Sequence, residues 1–120
     1  MDYVNPLKPS ERMKIPRQQS IEQDAKERAH NFGEVSLGLN EERALLEASR
    51  CLECKNPVCI EGCPVQVDIY AFLRLIMQKD YLGAVRKIRE TNYLPAICGR
   101  VCPQEEQCEA VCTMGKKHPS

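Results

Sequence analysis

Two crowded runs of cysteine constrain this chain more than anything else in it. CLECKNPVCIEGCP occupies residues 51–64 and CGRVCPQEEQCEAVC occupies 98–112, and together they hold all eight cysteines of the 120 residues. The spacings are C-x2-C-x4-C-x3-C-P and C-x3-C-P-x4-C-x3-C, so each run contains a Cys-Pro pair, Cys63-Pro64 and Cys102-Pro103. Thiols this dense are bridged, bound to metal or kept for redox chemistry, and the compartment decides which. The N-terminal stretch MDYVNPLKPSERMKIPRQQ is polar and lacks the apolar region of a secretory signal, which points to a cytoplasmic, reducing setting. A scaffold of four disulfides is then the weaker reading.

Eight cysteines divide into two sets of four. An iron–sulfur cube takes one thiolate per iron corner, and closely spaced residues wrap around one inorganic core. In two-cluster ferredoxins of bacterial type, the cysteine before proline ligates the other cluster. Proline there turns the chain away and removes a competing N–H. The same logic crosses the assignment here. Cys51, Cys54 and Cys59 would hold one 4Fe–4S cluster, completed by Cys112, and Cys63 would join Cys102 and Cys108 at a second. The fourth position of that second set stays open. Cys98 is the cysteine left, four residues before Cys102, so the two can face one side of a helical turn.

Structural zinc on four cysteines is the main alternative, giving a zinc-binding or protein-interaction module without a redox role. Zinc modules favour paired C-x2-C knuckles, however, and here Cys51/Cys54 alone has that spacing. A thioredoxin-like C-x-x-C pair would need a strand–helix context that the sequence lacks.

The rest reads as helical scaffold. Residues 1–19 hold three prolines and scattered charges, and are expected to be extended or disordered. A short helix is expected from about Asp24 to the Asn31/Gly33 pair. Asn40, Asp68 and Asp80 are N-cap candidates for helices over EERALLEASR, IYAFLRLIMQ and YLGAVRKIRE. Ile69, Phe72, Leu73 and Ile76 recur at helical spacing, as do Tyr81, Ala84, Val85 and Ile88, which predicts an amphipathic helical hairpin. A further short helix is expected over QEEQCEAVC, with Gly115 as its C-cap. No strand pattern alternates over more than a few residues. The fold class is therefore all-α, a small helical domain with two cysteine-rich cluster-binding loops around a helical hairpin.

Other residues near the runs carry weaker expectations. Leu52, Val58, Ile60, Val65, Ile97, Val101 and Val111 interleave with the cysteines and are expected to form an apolar sheath that excludes water. Lys55, Arg100, Lys116 and Lys117 either offset thiolate charge or are solvated surface charge. Backbone amides near Gly62 and Gly99 are candidate donors to cluster sulfur, and the lone His30 and His118 read as ordinary polar positions.

Charge excludes some function classes. Lys and Arg number 17, as do Asp and Glu, so no basic surface for nucleic acid is indicated. No apolar run approaches the roughly 18 residues that a membrane span needs. No G-x-G-x-x-G occurs, so the chain is expected to have no FAD or NADPH site of its own.

EQDAKERAHNFGEVSLGLNEERALLEASRCLECKNPVCIEGCPVQVDI and ETNYLPAICGRVCPQEEQCEAVCTMGKK resemble the N-terminal iron–sulfur domain of the NADPH-dependent glutamate synthase small subunit. The N-terminal domain of dihydropyrimidine dehydrogenase is similar, and the resemblance covers about residues 20–118. It implies a domain of α-helical ferredoxin type carrying two low-potential 4Fe–4S clusters over residues 20–120, truncated before FAD and NADPH domains. It also implies a pathway in which NADPH reduces the FAD and single electrons then cross the clusters to a second flavin on a partner. In glutamate synthase that acceptor is the large subunit. By residue, the resemblance supports Cys51, Cys54, Cys59 and Cys112 for one cluster and Cys63, Cys102 and Cys108 for the other. Members of the family can complete the second cluster with a Glu or Gln beyond the last cysteine, which would leave Cys98 a spare thiol. That stretch would fall past Ser120, so either Cys98 substitutes or the second cluster is incompletely ligated.

Overall fold

The computed structural model describes residues 4–120. In chain order its elements are α1 (Pro9–Arg12), β1 (Ile21–Glu22), α2 (Ala25–Arg28), β2 (Ser36–Gly38), α3 (Glu41–Ser49), α4 (Val58–Gly62), α5 (Ile69–Met77), α6 (Tyr81–Arg89) and α7 (Pro95–Val101). Two 3-10 turns follow, Gln104–Glu106 and Met114–Lys116. The architecture is the small all-α domain that the sequence predicts.

The capping residues fix where the helices begin. Asn40 accepts from the Arg43 amide, Asp68 from Ala71 and Asp80 from Gly83, at 2.9, 3.0 and 2.8 Å. Asp24 caps α2 in the same way. Each such cap satisfies a free helical N–H and contributes about 1 kcal/mol. The expected helical hairpin is α5 and α6, the most extensively packed pair of elements. Its joint turns at Lys79, a left-handed residue (φ 60°) whose amide donates back to Ile76 O at 2.8 Å. That return bond satisfies carbonyls at the end of α5. On the other side α3 and α4 pack against α5, and α7 packs against α6.

The packed centre is thin. Ala48, Val67, Ala84 and Met114 are the buried apolar residues among those described, and none of the large side chains is fully buried. Ile69, Phe72 and Leu73 of the α5 stripe and Ile88 of α6 instead wall an interior cavity.

The structure departs from the expectations in four places. β1 and β2 pair antiparallel, Ile21 opposite Gly38 and Glu22 opposite Ser36, with an irregularity between Ile21 and Glu22. Strands of two and three residues are too short to leave an alternating pattern. Helix α7 begins at Pro95, whose missing N–H costs nothing in the first turn. Residues 104–112 do not form the expected α-helix. The chain makes one 3-10 turn, then leaves helical geometry at Gln107 (φ −119°, ψ −107°), and Glu109 N returns to Gln104 O at 2.9 Å. Gly115 correspondingly lies inside the second 3-10 turn rather than capping a helix. Finally, where extended or disordered chain is expected over 1–19, residues 1–3 lie outside the described residues, Pro9–Arg12 form one helical turn and the remainder is irregular. Asn5 and Arg12 in this segment are buried.

Candidate metal centre

Each cysteine reaches the interior from a defined point on the scaffold. Cys51 leaves the end of α3, its amide still bonded to Ala48 O at 3.2 Å. Cys54 follows Glu53, a non-glycine residue in the left-handed region (φ 52°). Cys59 lies on α4 and Cys63 is its C-cap; Cys98 lies on α7 and Cys102 is its C-cap. Both helices are thus followed at once by proline, which cannot continue them. Cys108 and Cys112 sit in the turns after the first 3-10 element. Gly62 brings the end of α4 against the second run: a β-carbon there would stand 3.0 Å from Gln107 O and 3.2 Å from Cys108 Cα.

All eight cysteines line one cavity of about 410 Å³. Pro57, Val67, Ile69, Phe72, Leu73 and Met114 are among its apolar lining. All eight are free, half-buried thiols. Their mutual effects on ionisation show which are neighbours. Burial raises the Cys51 thiol, and Cys54, Glu53 and Cys112 raise it further. Burial pushes Cys59 up to about 11, reinforced by Cys51, Cys112 and Cys54, and also by Cys108. Cys102 is raised by burial and then by Cys98 and Cys63. Cys108 is raised by burial and by Glu109, with Cys102 and Cys63 adding to the effect. Cys51 and Cys59 thus feel Cys54 and Cys112, Cys59 also feels Cys108, Cys102 feels Cys98 and Cys63, and Cys108 feels Cys102 and Cys63.

Two thiols have polar partners that the sequence reading missed. The Cys102 thiol donates to Gln107 Oε1 at 3.0 Å, and the Cys98 thiol donates more weakly to Asn92 Oδ1 at 3.7 Å. Gln107 lies inside the second run, but nothing in its spacing marks it out.

The N-terminal segment ties the two runs down. Arg12 donates to Leu7 O at 2.8 Å and Cys51 O at 2.9 Å, and pairs with Glu53 at 2.7 Å. Arg74 reaches the other oxygen of Glu53 at 3.5 Å. Arg17 grips both oxygens of Glu109, at 2.9 and 3.1 Å. Buried Arg50 donates to Ile15 O at 3.2 Å and to Pro119 O, joining both ends of the chain to α3.

The expected apolar sheath is corrected in part. Leu52 and Val58 do line the cavity, although Val58 is also exposed, and Ile60 is half-buried outside its lining. Val65, Ile97, Val101 and Val111 are exposed on the outer surface, by 71% at Val101. Ile97 and Val101 lie on α7, where adjacent side chains point about 100° apart, so each is turned away from the cysteine that follows it. Lys55, Arg100, Lys116 and Lys117 are all exposed, and Arg100 is paired with Glu34. His30 and His118 are exposed as well.

The donor set fits polynuclear clusters: eight unbridged thiols line one largely apolar-walled cavity. A zinc ion with bonds of about 2.3 Å would draw its sulfurs to within about 3.8 Å of each other. Among the described residues, no group of three or more His, Cys, Asp or Glu is gathered for a single ion.

Comparison with known proteins settles the family. Residues 28–120 match the family described as dihydropyrimidine dehydrogenase domain II, 4Fe-4S cluster. The chain belongs to this 4Fe–4S domain family. It is 39% identical over 100 residues to a glutamate synthase [NADPH] small chain of Halomonas elongata, covering 83% of this chain and 21% of that protein. It is 47% identical over 70 residues to the NAD-dependent dihydropyrimidine dehydrogenase subunit PreT of Escherichia coli, covering 58% of this chain and 17% of that one. A putative oxidoreductase UacF of Escherichia coli is 38% identical over 91 residues, 75% of this chain and 14% of its own length. The chain therefore spans about a fifth or less of the relatives it matches. The fold class and the iron–sulfur cofactor expected from the cysteine spacing agree with this family. No helix among the described residues is long and apolar enough to cross a membrane.

Proposed function

We propose that this domain carries two 4Fe–4S clusters and relays electrons one at a time within a larger cytoplasmic oxidoreductase. One set of ligands is Cys51, Cys54, Cys59 and Cys112. The other is Cys63, Cys102 and Cys108 with Cys98 in the fourth position. The observation that carries the reading is the convergence of all eight thiols on one cavity. Bound there, each cluster would supply a site for reversible one-electron reduction. The chain's own work is then to hold four thiolates per core, to keep the cores adjacent, and to exclude water with Phe72, Leu73, Ile69 and Met114.

The relatives suggest the rest of the circuit. One is named an NADPH glutamate synthase small chain and another an NAD-dependent dehydrogenase subunit, so a nicotinamide donor is common to both names. Electrons would enter from a flavin reduced by that nucleotide on FAD and NADPH domains downstream of this one. They would leave to a flavin on a partner, of glutamate synthase large-subunit type.

Anaerobic reconstitution with iron and sulfide tests the proposal. Two clusters of this type require about eight iron and eight sulfide per chain and give broad absorption near ~400 nm that bleaches on reduction. Uptake of about two zinc with no sulfide, under the same conditions, would instead establish a structural zinc module.

A further inference from the structure

A buried charge stands beside the first cysteine run without a part in ligation. Arg12 is 6% exposed and lies next to the first cysteine run. Its guanidinium binds the Cys51 carbonyl and the Glu53 carboxylate, and Arg74 holds that carboxylate from the other side. Glu53 is in the left-handed region, which costs an L-residue about 1–2 kcal/mol. Side-chain clamp and strained backbone therefore meet on one residue, between the ligand candidates Cys51 and Cys54. The two arginines and one glutamate leave this side of the cavity with one net positive charge.

We propose that Arg12 is a positioning residue for the cluster held by Cys51, Cys54, Cys59 and Cys112, fixing the left-handed turn at Glu53 between two of its ligands and raising that cluster's reduction potential with its buried positive charge. The inference rests on the ligand assignment proposed above. Nearby positive charge favours the reduced, more negative state. The second run offers an internal comparison. Arg17 holds both oxygens of Glu109, the residue after Cys108. Arg17 is 42% exposed, where solvent screens its charge, so its effect is smaller and falls on the other cluster.

The test is an EPR-monitored redox titration of the anaerobically reconstituted chain. Arg12→Gln should lower the midpoint of one of the two clusters, and Glu53→Gln should raise the midpoint of the same one. Arg12→Lys keeps the charge and should restore most of the shift, while Arg17→Gln should leave that cluster unmoved. A purely structural role for Arg12 would not give shifts of opposite sign. Shifts in the same direction, or none, at unchanged iron and sulfide content would overturn the role of Arg12 and leave the ligand assignment standing. If Arg12→Gln does not load, the Lys and Glu53 variants decide: an unmoved midpoint in Glu53→Gln overturns the proposal. Wild-type protein that takes up neither iron nor sulfide would overturn both.

Discussion

Gly62 and Gly99 give the sharpest test of how the two cysteine runs fit together, because the structure predicts opposite outcomes for the same substitution. Gly62 ends α4, where a β-carbon would meet Val111 Cγ2 at 2.6 Å, Gln107 O at 3.0 Å and Cys108 Cα at 3.2 Å. Val111 is partly exposed and can rotate away, but the other two contacts are backbone and can only be relieved by moving the Cys108 loop. Overpacking of this kind costs about 1–3 kcal/mol. Helix propensity returns up to about 1 kcal/mol for Gly→Ala, and less at a helix end, so Gly62→Ala should lose about 1–2 kcal/mol net. Gly99 lies within α7, and a β-carbon there meets nothing within 4 Å. Gly99→Ala should therefore gain about 0.5–1 kcal/mol from the lost freedom of the unfolded chain. One kcal/mol moves the midpoint by about 4 °C in a domain of this size, so the two variants should melt roughly 6–12 °C apart. The assay is thermal unfolding by circular dichroism of anaerobic, reconstituted protein, with iron per chain measured on the same samples. Gly62→Ala should also load less iron, because Cys108 moves with the strained loop. A Gly62→Ala protein that melts at or above wild type with full iron would refute the close approach of α4 to the second run.

Three further outcomes are expected. Cys98→Ser should abolish one of two EPR signals of the reduced protein and spare the other, whereas two undiminished signals would show that Cys98 is not a ligand. The cluster-free, reduced protein should lose stability as pH rises from about 9 toward 11: burial and then its neighbouring thiols raise Cys59 from 9.0 to about 11, so across that window the folded chain holds a proton that the unfolded chain has released. Guanidinium unfolding at successive pH values reads this directly, and a midpoint that climbs over that window would contradict the burial of Cys59. Arg50→Met should cost about 2–3 kcal/mol, since it leaves Ile15 O and Pro119 O without their charged donor, and limited proteolysis should release both chain ends in this variant before the α5–α6 hairpin.

Cluster chemistry was legible in the sequence because it is written in spacing, and spacing is local. The same holds for the caps: Asn40, Asp68 and Asp80 each stand directly before a periodic apolar run, and each bonds an amide three residues on. Helix α7 had a local signal too, proline at its first position, but TNYLP reads equally well as the end of the preceding helix. What spacing could not show is direction. Ile97 and Val101 of α7 each precede a cysteine and are turned out, whereas Val58, in the same relation to Cys59 on α4, lines the cavity. The cavity is walled in part by residues outside the runs, on α5 and at Met114.

The N-terminal segment was illegible for a different reason. Arg12 finds its partners at Cys51 and Glu53, and Arg17 at Glu109, separations of 39 and 92 residues for the hydrogen-bonded pairs Arg12–Cys51 and Arg17–Glu109. No periodicity marks such a residue, and three prolines suggest a chain without regular structure. Yet proline and a missing helix are compatible with tight docking when the bonds come from side chains to distant carbonyls. The two arginines reach opposite cysteine runs from points five residues apart, so this short segment fixes one run relative to the other. The crossed ligands proposed above would need that relation kept constant, because Cys63 and Cys112 would each complete the set of the other run. A strap that grips Glu53 through Arg12 and Glu109 through Arg17 holds it by side-chain ion pairs, without a disulfide.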